Sequence, residues 1–135
     1  MVARFVYLIY RAIDCGDLPV GKINGVLGTE LLPGRAVLSA IAPRHIALDH
    51  TQDYQLCVQS LALAITAPSL IGKAPRHGND FEMVRRLLRD DRRDLLVAIE
   101  LLPNARGNYR IVSAYPVLRS KIERMRLAGY LRPCP

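Results

Sequence analysis

The stretch LLVAIELLPNARGNYRIVSAY, residues 95–115, constrains the fold more than any other part of this chain. Leu95 to Leu102 is apolar and strand-length, Pro103 to Gly107 carries turn formers, and Tyr109 begins a second strand-like run. Two such runs joined by a short Pro/Gly turn predict a β-hairpin. Successive side chains in a strand point to opposite faces. Tyr109, Ile111, Ser113 and Tyr115 are therefore expected on one face, and Arg110, Val112 and Ala114 on the other. Pro116 is expected to close the strand.

The rest of the chain is organised around this hairpin. Asp53 to Ala67 is the clearest helix, because Tyr54, Cys57, Val58, Leu61, Ala64 and Ile65 fall on one stripe at helical spacing. Pro68 ends it, since the residue before a proline avoids helical angles. Pro43 suits the first position of a short helix over 43–50. Val117 to Ala128 predicts a helix with Leu118, Ile122 and Met125 inward, ended by Gly129. Phe81 to Arg89 fits a helix or a strand equally well, and so does Phe5 to Ile13. Val20 to Leu32, with Gly21, Asn24, Gly25 and Gly28, reads as short strands and turns. Ala36 to Ala40 is a short strand. The expected class is α+β: short N-terminal β elements and a helical pair packed on an antiparallel sheet of about four strands, with a C-terminal helix. At 135 residues the chain fits a single domain.

Charge supplies the first functional hint. Nineteen basic residues face twelve acidic ones, a net charge of +7. All the basic residues but Lys22, Lys73 and Lys121 are arginine, whose planar fork matches phosphate oxygens. Such a surface attracts nucleic acid or another polyanion. The three cysteines form no CxxC pair and are odd in number, which indicates free thiols in a reducing, cytoplasmic setting. The apolar run at Phe5 is too short to span a membrane.

Chemistry is sparse and carries no cofactor signature. In RHIALDHTQDY, residues 44–54, His45 and His50 lie about 140° apart on a straight helix. A zincin pair needs the i, i+4 spacing, so no metal site is expected. His45 and Asp49 do have that spacing, which suits orientation of one imidazole by a carboxylate. No nucleophile elbow or phosphate loop occurs. What remains is a polar set: His45, Asp49, His50, Lys73, Arg76, His77, Arg85, Arg86, Ser113 and Tyr115. Attack by an RNA 2′-hydroxyl needs a base, an acid and a cation near the phosphate. Histidine and tyrosine can fill the first two roles, and Arg or Lys the third.

The order GRAVLSAIAPRHIALDHTQDY, LAITAPSLIG, FEMVRRL, LLVAIEL and YRIVSAYPVLRSKIERMRLAGYL resembles the phage-type barnase–EndoU–colicin–RelE superfamily, small α+β nuclease domains found as toxins and in phage and mobile-element proteins. The resemblance spans roughly residues 34–131, leaving 1–33 as an N-terminal β/turn extension. It implies that 81–88 is a strand. It implies a metal-independent RNA endonuclease with catalytic residues at His45, His50, Ser113, Tyr115, and Arg85 or Arg86. Lys73, Arg76, His77, Arg119 and Lys121 are the expected substrate-binding residues. A cognate immunity or antitoxin protein is an expected partner, and no cofactor is expected. The chain departs from the family pattern at Asp49, where a basic residue precedes the second histidine. The alternative is a module of the same scaffold that binds nucleic acid or protein without cutting.

Overall fold

The structure, a computed structural model, describes residues 12–39, 54–73 and 78–135. The expected short helix over 43–50, nearly all of Phe5 to Ile13, and the residues His45, His50, Arg76 and His77 lie outside the described residues. Among those described, three helices pack on one seven-stranded mixed sheet, so the class is α+β. The strands are β1 (Ile13–Asp17), β2 (Arg35–Leu38), β3 (Leu70–Lys73), β4 (Asp80–Arg86), β5 (Arg93–Glu100), β6 (Tyr109–Leu118) and β7 (Leu131–Pro133). The helices are α1 (Val20–Leu27), α2 (Tyr54–Thr66) and α3 (Arg119–Leu127). The sheet order is β1-β2-β6-β5-β4-β3-β7. The β2–β6 pair is parallel and every other pair is antiparallel. The sheet is therefore larger than the four antiparallel strands expected.

The extra strands come from both ends of the chain. β1 and β2 add to one edge through β6, and β7 adds to the other edge through β3. Seven strands spaced by about 4.8 Å would span roughly 29 Å if flat. Yet β1, at one edge, leads within three residues into α1, which packs on β3 near the other edge. Eight helical residues cover only about 12 Å, so the sheet must curl. α2 lies inside the curl and packs on β1, β4, β5 and β6.

Both faces of the central strands are covered. The inner face carries Leu38, Ile71, Phe81, Met83, Leu95, Val97, Ile99, Tyr109 and Ile111 against Cys57, Leu61, Ala64 and Ile65 of α2. The outer face carries Val84, Leu96, Val117 and Leu131, buried together with Ile122 of α3. Burial on two faces explains the ambiguity at residues 81–88. A strand covered on both sides shows no alternation, so FEMVRRLL matched a helical stripe equally well. The segment is β4 through Arg86, as the family resemblance implied.

Residues 20–27 form a helix, where short strands and turns were expected. Gly21 and Gly25 face open space, and each disfavours a helix by about 1 kcal/mol relative to alanine. Tertiary packing overrides that cost: Ile23 is fully buried, and Val20, Val26 and Leu27 pack against the core. Asn24 then ties the helix to the segment after it. Its Oδ1 accepts from the Leu31 N–H and the Thr29 hydroxyl, and its Nδ2 donates to the Leu31 carbonyl. Gly28 ends the helix in the left-handed conformation, φ 69°.

Pro116 does not close β6, which runs on to Leu118. β2 pairs with β6 only over Tyr109–Ile111. Beyond that point β6 has no described neighbour on that side, so the missing proline N–H breaks no ladder bond. No helix among the described residues is long and apolar enough to cross a membrane.

Candidate functional site

The outer face is a set of rows read across the strands. One row runs Gly72, Glu82, Ala98, Ser113 from β3 to β6. The next runs Leu70, Val84, Leu96, Tyr115. The third runs Arg86, Asp94, Val117. Ile122 of α3 packs on the apolar middle of this array.

Ser113 and Tyr115 share this outer face, but Tyr109 and Ile111 do not join them. Between Ala98 and Ile99 the β5–β6 register shifts by one residue, so that Ser113 opposes Ala98 while Ile111 opposes Ile99. The extra residue, Val112, makes a β-bulge, which reverses the parity of everything after it. Tyr109 and Ile111 point into the inner core. Ser113 and Tyr115 are turned outward, with Ala114 inward. Strict alternation, the expectation from sequence, fails at this residue.

Glu82 is the residue that sequence reading missed. It stands in the Ser113 row, two strands away, and is only 7% exposed. Gly72 and Ala98, its row neighbours on either side, are small. The signal was present in the sequence as a lone carboxylate inside the apolar run FEMV. Tyr115 is half-buried, and burial first, then the negative charge of Glu82, raises its phenol above the ordinary tyrosine value. At neutral pH the group is therefore a proton and hydrogen-bond donor. The face thus combines a carboxylate acceptor, a hydroxyl and a protonated phenol.

The two candidate arginines of β4 point to opposite faces of the sheet, and only Arg86 shares the face of Ser113 and Tyr115. Arg85 projects from β4 toward the end of α2, where its guanidinium donates to the Ala67 carbonyl at 2.6 Å. The alternation of β4 opposes it to Leu95, an inner-face residue. Arg86 is on the outer face, one row beyond Tyr115, in a cleft shared with Ser69, Arg85, Asp94 and Arg119. Arg119 is held structurally: Nε donates to Asp94 at 3.0 Å, and its terminal nitrogens donate to the carbonyls of Asp91 and Arg93. Lys121 is exposed on α3. Lys73 ends β3 at the far edge, beside Tyr130 and Arg132.

Charge compensation is uneven. Arg35 pairs with Asp14 and Asp17, Arg93 with Asp90, Arg110 with Glu100, and Arg126 with Glu123. Lys73, Arg85, Arg86, Arg89, Arg92, Lys121, Arg124 and Arg132 form no carboxylate pair among the described residues. The same holds of Lys22 on α1 and Arg106 in the β5–β6 turn, and the positive charge without a carboxylate partner is densest along α3, at the tip of the β4–β5 hairpin and at the β3–β7 edge. Among the described residues, no cluster of three or more His, Cys, Asp and Glu could hold a metal ion. No family model, curated protein or solved structure matches this chain.

Proposed function

We propose that this protein is a metal-independent RNA endonuclease whose acid/base groups include the Glu82–Ser113–Tyr115 face. The observation that carries the reading is the placement of a buried carboxylate, a hydroxyl and a phenol held protonated on one face of the sheet. In this mechanism the 2′-oxygen of a ribose attacks the adjacent phosphorus as a base takes its proton. The bond from phosphorus to the 5′-oxygen breaks, and an acid protonates that oxygen. The products are a 2′,3′-cyclic phosphate and a 5′-hydroxyl. Glu82 suits the base, Tyr115 the acid, and Ser113 a hydrogen bond to a phosphate oxygen. Each positioned acid or base contributes about 10²–10⁴-fold. His45, which the family resemblance implies, is a further acid/base group in this reading.

The test is incubation of the purified protein with total RNA in EDTA. The expected result is cleavage that leaves cyclic phosphate ends and falls at least about 100-fold in Glu82→Gln and in Tyr115→Phe. Cleavage that needs a divalent cation, or that survives both substitutions, overturns the proposal. A second reading, nucleic-acid binding without cleavage, is favoured by the pairing of Arg110 with Glu100. That pair neutralises a cation on the Ser113 face. Salt-dependent RNA binding with no turnover would establish it.

A further inference from the structure

A cleft of about 290 Å³ lies at the β3–β7 edge, lined by Val26, Leu27, Gly72, Lys73, Gly129, Tyr130 and Arg132. Three features of its construction point to a ligand. First, it holds two cations with no carboxylate partner among the described residues: Lys73, and Arg132, whose guanidinium approaches the Val26 carbonyl at 3.5 Å. Second, its aromatic residue, Tyr130, is 52% exposed, although a tyrosine ring gains roughly 1.5–3 kcal/mol from full burial. Third, the backbone that presents this ring is tied to its neighbours on both sides. Gly129 adopts φ 85°, the Tyr130 N–H donates to the Met125 carbonyl at 3.0 Å, and the Tyr130 carbonyl lies so close to Gly72 that a Cβ there would meet it at 1.9 Å. An exposed aromatic ring on a held turn, in one cleft with two cations, combines the two elements that bind single-stranded nucleic acid without sequence preference, a stacking surface and charge for the backbone.

We propose that this cleft is a nucleotide subsite in which a base of single-stranded RNA stacks on Tyr130 while Lys73 and Arg132 hold an adjoining phosphate. The proposal rests on the endoribonuclease reading and extends it. Gly72, on the wall of the cleft, begins the row that continues through Glu82 and Ala98 to Ser113. Three strand spacings put Ser113 about 14 Å away. Lys73 and Arg132 oppose Phe81 and Ile71, on the inner side of this edge, so a strand held here turns round the edge to reach the Ser113 face, and the subsite contributes to binding without touching the reacting atoms.

The experiment measures binding of a labelled 2′-O-methyl oligouridylate, which cannot be cut through its 2′-oxygen, beside an abasic strand of the same length. Tyr130→Ala is expected to weaken the oligouridylate by about tenfold and to leave the abasic strand unchanged, with Tyr130→Phe behaving as the parent chain. Arg132→Ala is expected to weaken both strands and to reduce the slope of log affinity against log salt by about 0.7. Equal affinity of Tyr130→Ala and the parent for the oligouridylate overturns the proposal, as does an equal loss on the abasic strand. Cleavage with an unchanged KM in Tyr130→Ala would sink the subsite alone. A loss confined to the base-bearing strand, in a protein that cuts no RNA, would sink the nuclease reading alone. A parent chain that binds neither strand at low salt overturns both.

Discussion

Glu82 and Tyr115 project from the same face of the sheet, from β4 and β6 with β5 between them, and the Glu82 charge adds to burial in holding the Tyr115 phenol protonated. Removing that charge with Glu82→Gln should lower the titration of Tyr115, but not to the ordinary tyrosine value, because burial is the larger cause. Tyrosinate absorbance in a pH titration, compared with Tyr115→Phe to identify the group, measures this. An unchanged titration would mean that the two groups do not interact.

The same shift has a consequence for stability. A phenol whose folded value is raised keeps its proton in the folded state after the unfolded chain has lost it. Its contribution is therefore fully present below about pH 10 and is lost as pH rises through the folded value. Tyr115 and Tyr109 are both raised. Thermal melts should fall above about pH 10, and less steeply in Tyr115→Phe than in the parent.

Two glycines should behave oppositely to a third. A Cβ on Gly72 would lie 1.9 Å from the Tyr130 carbonyl, and one on Gly34 would lie 2.3 Å from the Gly107 carbonyl. Backbone cannot yield cheaply at such contacts, so each alanine substitution should destabilise by about 1–3 kcal/mol. Gly25, inside α1, has nothing within 4 Å of the same position. Gly25→Ala should stabilise by about 0.5–1 kcal/mol through helix propensity. Denaturant midpoints of the three variants decide this.

Arg119 anchors the start of α3 to the buried Asp94. Arg119→Ala strips a charged partner from a carboxylate that is only 7% exposed, and should cost about 1–3 kcal/mol. Restoration of stability by the double variant with Asp94→Leu would identify the orphaned carboxylate as the cause. Equal loss in Lys121→Ala, which is exposed on the same helix, would refute it.

The cysteines should react in a fixed order. Cys15 is buried and its thiol is pushed up to about 12, chiefly by burial, so it supplies almost no thiolate at neutral pH. Cys57 is also buried, whereas Cys134 is partly exposed. Alkylation of the folded protein should label Cys134 first, as read by peptide mass. Early labelling of Cys15 would contradict the packing of β1 against the core.

Local pattern was enough for several elements. The apolar stripe ending at Pro68 marked α2, the Pro/Gly turn marked the β5–β6 hairpin, and Gly129 marked the end of α3. These signals lie in consecutive residues, where backbone preference and burial agree. The basic balance of the chain and the sharing of one face by Ser113 and Tyr115, two residues apart in a strand, were legible for the same reason.

Other features depend on residues far apart in the chain. α1 forms against the preference of its glycines because Ile23 is buried in the shared core. β6 passes through Pro116 because β2 has already ended. The bulge at Val112, set by pairing with β5, sends Tyr109 inward and Ser113 outward, and the curl of the sheet carries β7 and Tyr130 to the edge that α1 reaches. Sequence alone determined where the chain could be helical or extended and that its surface is basic, because those properties follow from neighbouring side chains. Only the tertiary structure decided which face each side chain occupies and that Glu82 stands in the row of Ser113, because register and burial are set by partners many residues away.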